Sequence, residues 1–144
     1  VCNSDGEVDT QINLTNQTSK GNSGRVIPLH KNVRENLIEL LETHKKYRAF
    51  NLNSSFVIRT ERSPFTTSQT IINMFQKWYR TLGLIGCSSH SGRRTFITET
   101  SKKISLVGGS LRDIQMMAGH SSLQTTQRYI DGDSQSQRKV VDLI

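Results

Sequence analysis

The sequence lacks the features that several classes of protein require. Its two cysteines, Cys2 and Cys87, form no CxxC or Cys/His pattern, so we expect a reduced protein without structural zinc. A single disulfide between them is the open alternative. No apolar run approaches the roughly 20 residues of a transmembrane helix, and the start does not resemble a signal peptide. Internal repeats and low-complexity tracts are also absent.

Acidic residues are the minority among the charges. The 144-residue chain carries 19 Lys+Arg against 12 Asp+Glu, which gives a formal net charge of +7. A polyanionic partner such as nucleic acid explains this excess, because each phosphate that is neutralised releases counterions. A basic surface that only keeps the protein in solution explains it equally well. The length fits one domain with a modest core.

Apolar periodicity predicts an α+β fold that is mostly helical, with a small antiparallel sheet near the N-terminus. Ile12 and Leu14 alternate with polar neighbours, and a turn rich in Gly, Asn and Ser separates them from a second strand pattern. Residues 10–30 are therefore predicted to form a β-hairpin. Phe56–Ile58 is predicted to be a short extended piece.

Helices are predicted over most of the remaining chain. The pattern gives one with good amphipathic spacing over 31–48 and another that ends before Gly83, where glycine suits a C-terminal cap. Ser110 opens a capping signature for a short helix that Gly119 ends, and a further short helix is predicted to carry Tyr129. The predicted spans are 31–48, 68–82, 90–103, 110–118 and a short helix from 121.

Two segments place a histidine in ways that suit phosphate binding, the first of them together with an arginine. His90 and Arg93 are three residues apart, so on a helix they share a face, and a guanidinium offers a bidentate fork to phosphate oxygens. His120 follows Gly119 and lies near the start of the next predicted helix, where anions are attracted. A chance surface pair and a polar linker are the open structural alternatives.

Two further segments supply a tyrosine and a lysine. Tyr129 follows His120 by nine residues. A free phenol is almost fully protonated at neutral pH, so a nucleophilic tyrosine needs cationic neighbours that stabilise the phenolate. Lys20 lies at the tip of the predicted hairpin, from where it can reach a DNA groove or donate a proton to a leaving oxygen. A packing tyrosine and an ordinary exposed lysine are the alternatives.

Together these segments resemble the tyrosine recombinases, the family of the phage integrases and Xer recombinases. The stretch GGSLRDIQMMAGHSSLQTTQRYID, from Gly108 to Asp131, is similar to the family's signature around its second histidine and its tyrosine. HSGRRTFIT resembles the family's His-x-x-Arg box, and TSKGNSGRVIPLH resembles the hairpin that carries its lysine. Order and spacing agree from Lys20 to Tyr129.

The resemblance implies the catalytic-domain fold of a DNA breaking-rejoining enzyme and a 3′-phosphotyrosyl intermediate. No metal, nucleotide or other cofactor is implied, and no GxxxxGK[ST] loop occurs. The implied catalytic roles are Tyr129 as the nucleophile, Arg93 and His120 as donors to the phosphate oxygens, His90 as an acid/base group and Lys20 as the acid for the leaving 5′-oxygen.

The chain departs from the family pattern in two ways. The first catalytic arginine of the family belongs on a helix ahead of Lys20, and that position falls before Val1, as does the N-terminal DNA-binding domain. We therefore expect residues 1–144 to be a single catalytic domain fragment of a longer protein. Loss of one charge-stabilising donor typically costs about 10²–10³ in rate, so we expect this fragment to cleave DNA poorly or not at all. Gly92 stands where leucine is usual, and Arg94 where a second histidine or arginine often occurs.

The resemblance further implies double-stranded DNA with a recombination site as the partner and, for the full-length protein, a homotetramer on that DNA; the oligomeric state of the fragment alone is open. It implies no membrane and a cytoplasmic location, in a protein encoded by a bacterium, phage or mobile element. The apolar end, Val140–Ile144, either docks on a neighbouring protomer or packs on its own domain. Side chains expected at the DNA backbone are Arg94, Arg25, Lys102 and Lys103, with Arg59, Arg62, Lys77 and Arg80 as further candidates.

Alternative functions are open. A type IB topoisomerase or a telomere resolvase shares the tyrosine chemistry, but the segment AGHSSLQTTQRY resembles the Xer recombinases and argues against both. A non-catalytic DNA-binding module derived from an integrase would occupy its site without cleaving it. Binding alone does not require Tyr129, which speaks against that alternative.

Overall fold

The computed structural model describes residues 1–19, 23–130 and 134–142. The chain divides into two compact units, Val1–Ser89 and His90–Ile144. The described residues form mainly α-helices, together with one two-stranded antiparallel sheet near the N-terminus. This is the predicted α+β class. The expectation of a single domain stays a prediction.

The predicted hairpin is present in the first unit. β1 (Gln11–Leu14) pairs antiparallel with β2 (Arg25–Pro28), and Ile12 lies opposite Ile27. The alternation of side chains in β1 therefore predicted the strand correctly. Val57 and Ile58 form bends and no strand includes Phe56–Ile58, so the prediction of an extended piece there was wrong. The only ladder that the described residues contain is the one between β1 and β2, and an extended segment without a ladder partner has little to hold it.

Besides the sheet and a 3₁₀ helix over Asn16–Thr18, the described part of the first unit contains two α-helices. α1 (Lys31–Lys45) is tied to the N-terminal loop because the Arg34 guanidinium donates to the carbonyl oxygen of the buried Val8 at 2.9 Å. α2 (Ser68–Thr81) is followed by Gly83, whose φ of 69° is the left-handed conformation of a C-terminal cap. Both helices were predicted, and α1 ends a few residues earlier than expected.

The second unit consists of helices around a small apolar core. Their order is α3 (Ser91–Lys103), α4 (Leu111–Ala118), α5 (Leu123–Gln127) and α6 (Ser134–Val141). α3 packs against α4, and α4 packs against α5. The core consists of the buried side chains Ile97, Ile114 and Ala118, with Ile104, Leu111, Met117 and Tyr129 packed against them.

α4 has strong chemical signals at both ends. The Ser110 backbone N–H donates to the Asp113 carboxylate at 2.7 Å, and the Ser110 hydroxyl lies 2.8 Å from the same oxygen. These two bonds lower the pKa of the Asp113 carboxyl. At the other end Gly119 has a φ of 66°, so the chain leaves the helix through a left-handed residue.

Tyr129 lies outside α5, so the prediction of a helix that carries it was wrong. α5 ends at Gln127, and Tyr129 follows in a turn. The Tyr129 N–H donates to the Thr126 carbonyl at 3.1 Å, and the Ile130 N–H donates to the Gln127 carbonyl at 2.9 Å. Such i→i+3 bonds tighten the chain into a turn and do not continue the α-helix.

We expect Gly119→Ala to lower the free energy of unfolding by about 1–2 kcal/mol, because a side chain disfavours the left-handed conformation. Urea denaturation followed by circular dichroism measures this change. Gly92 in α3 is the matched control, because a Cβ added there meets no atom within 4 Å. Gly92→Ala should stabilise the chain by about 0.5–1 kcal/mol. Equal losses in the two variants would contradict the special role of Gly119.

Candidate active site

The second unit contains four of the five residues that the sequence predicts to be catalytic. These are His90, Arg93, His120 and Tyr129. The fifth, Lys20, lies outside the residues that the structure describes. The site can therefore be built from the second unit alone.

Arg93 is anchored at the end of α4. It lies in the first turn of α3, and its Nη2 donates to the carbonyl oxygen of Ala118, two residues before His120. His90 is the N-cap residue of α3, and its carbonyl accepts the backbone N–H of Arg94 at 3.0 Å. His90 and Arg93 therefore belong to the same turn, as their spacing predicts.

The backbone of His120 is held on both sides by one buried residue. The His120 N–H donates to the main-chain carbonyl of Gln115 at 3.1 Å. The Gln115 side-chain amide donates back to the His120 carbonyl at 2.9 Å, and its Oε1 accepts from Arg112 at 2.9 Å. Gln115 is only 5% exposed. The turn that carries His120 is thus fixed by polar contacts from the body of α4.

The imidazole of His120 is held by a hydroxyl and by an aromatic ring. Its Nδ1 lies 3.0 Å from Oγ1 of Thr126, a side chain with no exposed surface. The ring stacks on Tyr129 with centroids 5.6 Å apart and an interplanar angle of 15°. Two residues that are nine positions apart in the sequence are therefore in direct contact.

Tyr129 is also fixed to α3 and to the core. The Thr98 hydroxyl donates to the Tyr129 carbonyl at 3.0 Å. The aromatic ring packs against the cluster of Ile97, Ile114 and Ala118. The structure thus brings the His120 imidazole and the Tyr129 phenol into direct contact. The Arg93 guanidinium lies at the Ala118 carbonyl, just before the turn that carries His120. Such a group of hydrogen-bond donors beside a phenol can bind an anion and hold it near a nucleophile.

The side chains predicted to contact a DNA backbone have different environments. Arg94 and Lys103 are exposed on α3. Lys102 bonds to the Glu99 carboxylate at 3.0 Å, and this bond, together with the positive charge, lowers the pKa of Glu99. Arg25 lies in β2 of the first unit, where its Nη1 donates to the backbone carbonyl of Ser23 at 3.1 Å.

Three residues that support the site were missed in the sequence. Gln115 lies four residues after Leu111, so a polar side chain on the apolar face of α4 was a usable signal. Thr126 and Thr98 gave none, because their partners are brought to them by the turn after α4 and by the packing of α3.

The described residues contain neither a metal centre nor a membrane-spanning helix. Within residues 1–19, 23–130 and 134–142, no group of three or more His, Cys, Asp or Glu side chains could hold a metal ion. None of the described helices has the length and apolar character of a membrane span. The first unit contains a cavity of about 290 Å³ lined mainly by apolar side chains of α1 and of the segments 1–8 and 50–57. None of the predicted site residues lines it.

Comparison with known proteins identifies related sequences. The profile of the phage integrase family matches residues 4–136. The tyrosine recombinase XerC of Staphylococcus epidermidis is 28% identical over 136 residues, which cover 93% of this chain and 44% of that protein. The XerC of Actinobacillus pleuropneumoniae serotype 7 is 28% identical over 138 residues, 95% of this chain and 43% of that protein. The chain thus spans less than half the length of these curated relatives.

Solved structures share the fold. The crystal structure of XerA recombinase aligns with a TM-score of 0.69 and 22% identity over 93% of this chain and 46% of its own. The Tn1549 transposon integrase, solved in complex with a circular intermediate DNA, aligns with a TM-score of 0.69 and 18% identity over 94% of this chain and 47% of its own. The predicted fold class is confirmed by these similarities.

We expect Gln115→Met to lower the free energy of unfolding by about 1–3 kcal/mol, because it leaves the His120 carbonyl without its side-chain donor. Urea denaturation measures this loss. Gln124 is exposed on α5, so Gln124→Met is the control and should change stability by less than about 0.5 kcal/mol. If both variants were equally stable, the Gln115 amide would not hold the turn.

Proposed function

The chain belongs to the phage integrase family, and we propose that it takes part in site-specific DNA recombination of the integration or excision type. The partner in this proposal is double-stranded DNA that carries a recombination site. The net charge of +7 supports a polyanionic partner. A structural neighbour, the Tn1549 transposon integrase, was solved with circular intermediate DNA.

The proposed reaction exchanges one phosphate ester for another. The Tyr129 hydroxyl attacks the phosphorus of a phosphodiester, so a bond forms between the tyrosine oxygen and the 3′-phosphate while the bond to the 5′-oxygen breaks. His90 assists as the acid/base group that moves the phenol proton, and Lys20 gives a proton to the leaving 5′-oxygen. A 5′-hydroxyl of a second strand then reverses the step. Because the phosphate ester is retained in the protein–DNA link, no nucleotide needs to be hydrolysed.

Arg93 and His120 stabilise the charge that develops on the phosphate in this proposal. Both offer N–H groups to the non-bridging oxygens, and preorganised donors of this kind act most strongly in the transition state. The observation that carries the proposal is the stacking of the His120 and Tyr129 rings, 5.6 Å apart. A phosphate held by the imidazole would lie next to the phenol that is proposed to attack it.

A second candidate function is a non-catalytic DNA-binding module derived from an integrase. The packing of the Tyr129 ring against Ile97, Ile114 and Ala118 favours it, because a purely structural tyrosine makes the same contacts. The proximity of Tyr129 to His120 is not needed for that role. The two candidates differ in one product, a covalent protein–DNA complex.

We further propose that residues 1–144 belong to one catalytic domain, that the full-length protein works as a tetramer on DNA, and that this chain cleaves DNA poorly by itself. Residues 1–19 contain no arginine. The arginine that the family resemblance places ahead of Lys20 is therefore not among the residues of this chain. Its absence removes one donor to the phosphate and lowers the expected rate by about 10²–10³.

We expect this chain to form a covalent complex with DNA that disappears in Tyr129→Phe. The substrate is a pool of duplexes of randomised sequence, each nicked so that the short 5′-hydroxyl fragment diffuses away after cleavage. The complex then accumulates even when cleavage is slow, and a denaturing gel detects it. Tyr79→Phe, which deletes a phenol hydroxyl on α2, is the matched control and should keep the complex.

A chimera completes the experiment. It places ahead of Val1 those residues of the staphylococcal XerC that precede the segment similar to this chain. It should form the covalent complex about 10²–10³-fold faster than the chain alone. A complex that persists in Tyr129→Phe would show that another residue is the nucleophile. DNA binding without a covalent complex, in both the chain and the chimera, would favour the non-catalytic module.

We expect Lys20→Ala to slow cleavage of ordinary DNA by about 10²–10⁴, the contribution of a general acid. Lys20→Ala should cleave a substrate in which sulfur replaces the bridging 5′-oxygen at nearly the rate of the unchanged chain, because a thiolate leaves without protonation. Both rates are measured by single-turnover formation of the covalent complex. Lys31→Ala, at the exposed start of α1, is the control and should leave both rates unchanged. Equal slowing of both substrates by Lys20→Ala would mean that Lys20 binds DNA and is not the acid.

A further inference from the structure

Thr126 is placed to control which nitrogen of His120 carries hydrogen. Its Oγ1 lies 3.0 Å from Nδ1 of His120, and no part of its side chain is exposed. A fully buried hydroxyl is shielded from competing water, and threonine has few accessible rotamers in a helix because its Cβ is branched. The backbone of His120 is already fixed by Gln115. The hydroxyl therefore meets a histidine whose backbone is held in place.

The direction of this hydrogen bond decides what His120 can do. In a neutral imidazole one nitrogen carries hydrogen and donates, while the other accepts. If the Thr126 hydroxyl donates to Nδ1, the hydrogen of the ring is on Nε2, and Nε2 can donate to a phosphate oxygen. If Nδ1 donates to the hydroxyl, neutral His120 presents a lone pair on Nε2, which would repel a phosphate oxygen.

We propose that Thr126 is a positioning residue whose hydroxyl donates to Nδ1 of His120 and keeps Nε2 protonated as the donor to DNA phosphate. This proposal rests on the proposed function for the role of Nε2, while the direction of the hydrogen bond is a property of the protein alone. Stacking on Tyr129 at an angle of 15° adds to it, because it limits rotation of the imidazole plane. Thr126 acts through His120 and does not touch the substrate.

The direct test is nuclear magnetic resonance of the ¹⁵N-histidine-labelled chain at about pH 8, where an ordinary imidazole is neutral. The proposal expects Nδ1 of His120 to have the chemical shift of an accepting nitrogen and Nε2 that of a nitrogen with hydrogen. His120→Gln identifies the signals. In Thr126→Val, which keeps the shape and removes the hydroxyl, the Nδ1–H form should become detectable. Thr126→Ser should restore the parent spectrum.

Two results would overturn the proposal. One is an Nδ1 that carries hydrogen in the parent chain, and the other is a His120 spectrum that Thr126→Val leaves unchanged. Circular dichroism establishes that the variants are folded, and Thr126→Ser gives the same comparison with a hydroxyl retained. Thr125→Val deletes a hydroxyl from the same helix, one that bonds to Ser122 and not to His120. It should leave the His120 signals in place.

The kinetic consequence is measured on the covalent complex with nicked DNA. Thr126→Val should slow its formation by about 10–100-fold, the range observed when the group that orients a functional histidine at a metal site is removed. The DNA affinity of Thr126→Val should stay close to that of the unchanged chain. Thr126→Ser and Thr125→Val should form the covalent complex at close to the unchanged rate. If the spectra behave as expected but the parent chain and its chimera form no covalent complex, the proposed function fails while the hydrogen-bond assignment stands. A slowed Thr126→Ser would overturn the role assigned to the hydroxyl.

Discussion

Gln115 is almost fully buried, and a buried amide without hydrogen-bond partners costs about 1–3 kcal/mol. It meets that constraint across a turn, since its main-chain carbonyl accepts from the His120 N–H and its side chain donates to the His120 carbonyl. Both bonds require the chain to reverse direction between the two residues, and Gly119 makes the reversal in a left-handed conformation. The direction in which α5 leaves α4, and hence the positions of Thr126 and Tyr129, follows from this turn.

Burial of apolar side chains brings Arg93 to the same end of α4. Ile97 is fully buried against Ile114 and Ala118, and this contact sets α3 against α4. Arg93 precedes Ile97 by four residues, so the two lie on one face of α3, and the guanidinium reaches the carbonyl of Ala118. His120 is thus positioned by polar satisfaction and Arg93 by hydrophobic packing. Two independent forces converge on the few residues that end α4, which is why motifs far apart in the sequence meet there.

The same distinction explains what could be predicted from the sequence. Ser110 and Gly119 carry local chemistry, a cap and a left-handed residue, so the bounds of α4 could be inferred without knowledge of the fold. The end of α5 depends on i→i+3 bonds that no residue type announces, and Tyr129 was therefore wrongly assigned to the helix. The contact of Thr126 with His120 exists only once the turn is made, so nothing in the pattern could reveal it. The hairpin was predicted correctly, while Lys20 at its tip stays a prediction.

The contacts that hold His120 and Tyr129 suit the proposed chemistry. His120 is held at its backbone by Gln115 and at its ring by Thr126. Tyr129 follows the end of α5, where one hydrogen bond from Thr98 and one to Thr126 hold its backbone. The ring of Tyr129 is held by the cluster of Ile97, Ile114 and Ala118 and by stacking on His120. A reversible strand exchange uses one hydroxyl as both attacking and leaving group, and each step needs its own alignment to within roughly 0.5 Å. In the proposed reaction a phenol held beside its hydrogen-bond donors suits both steps, because the same oxygen that attacks the phosphorus later leaves it.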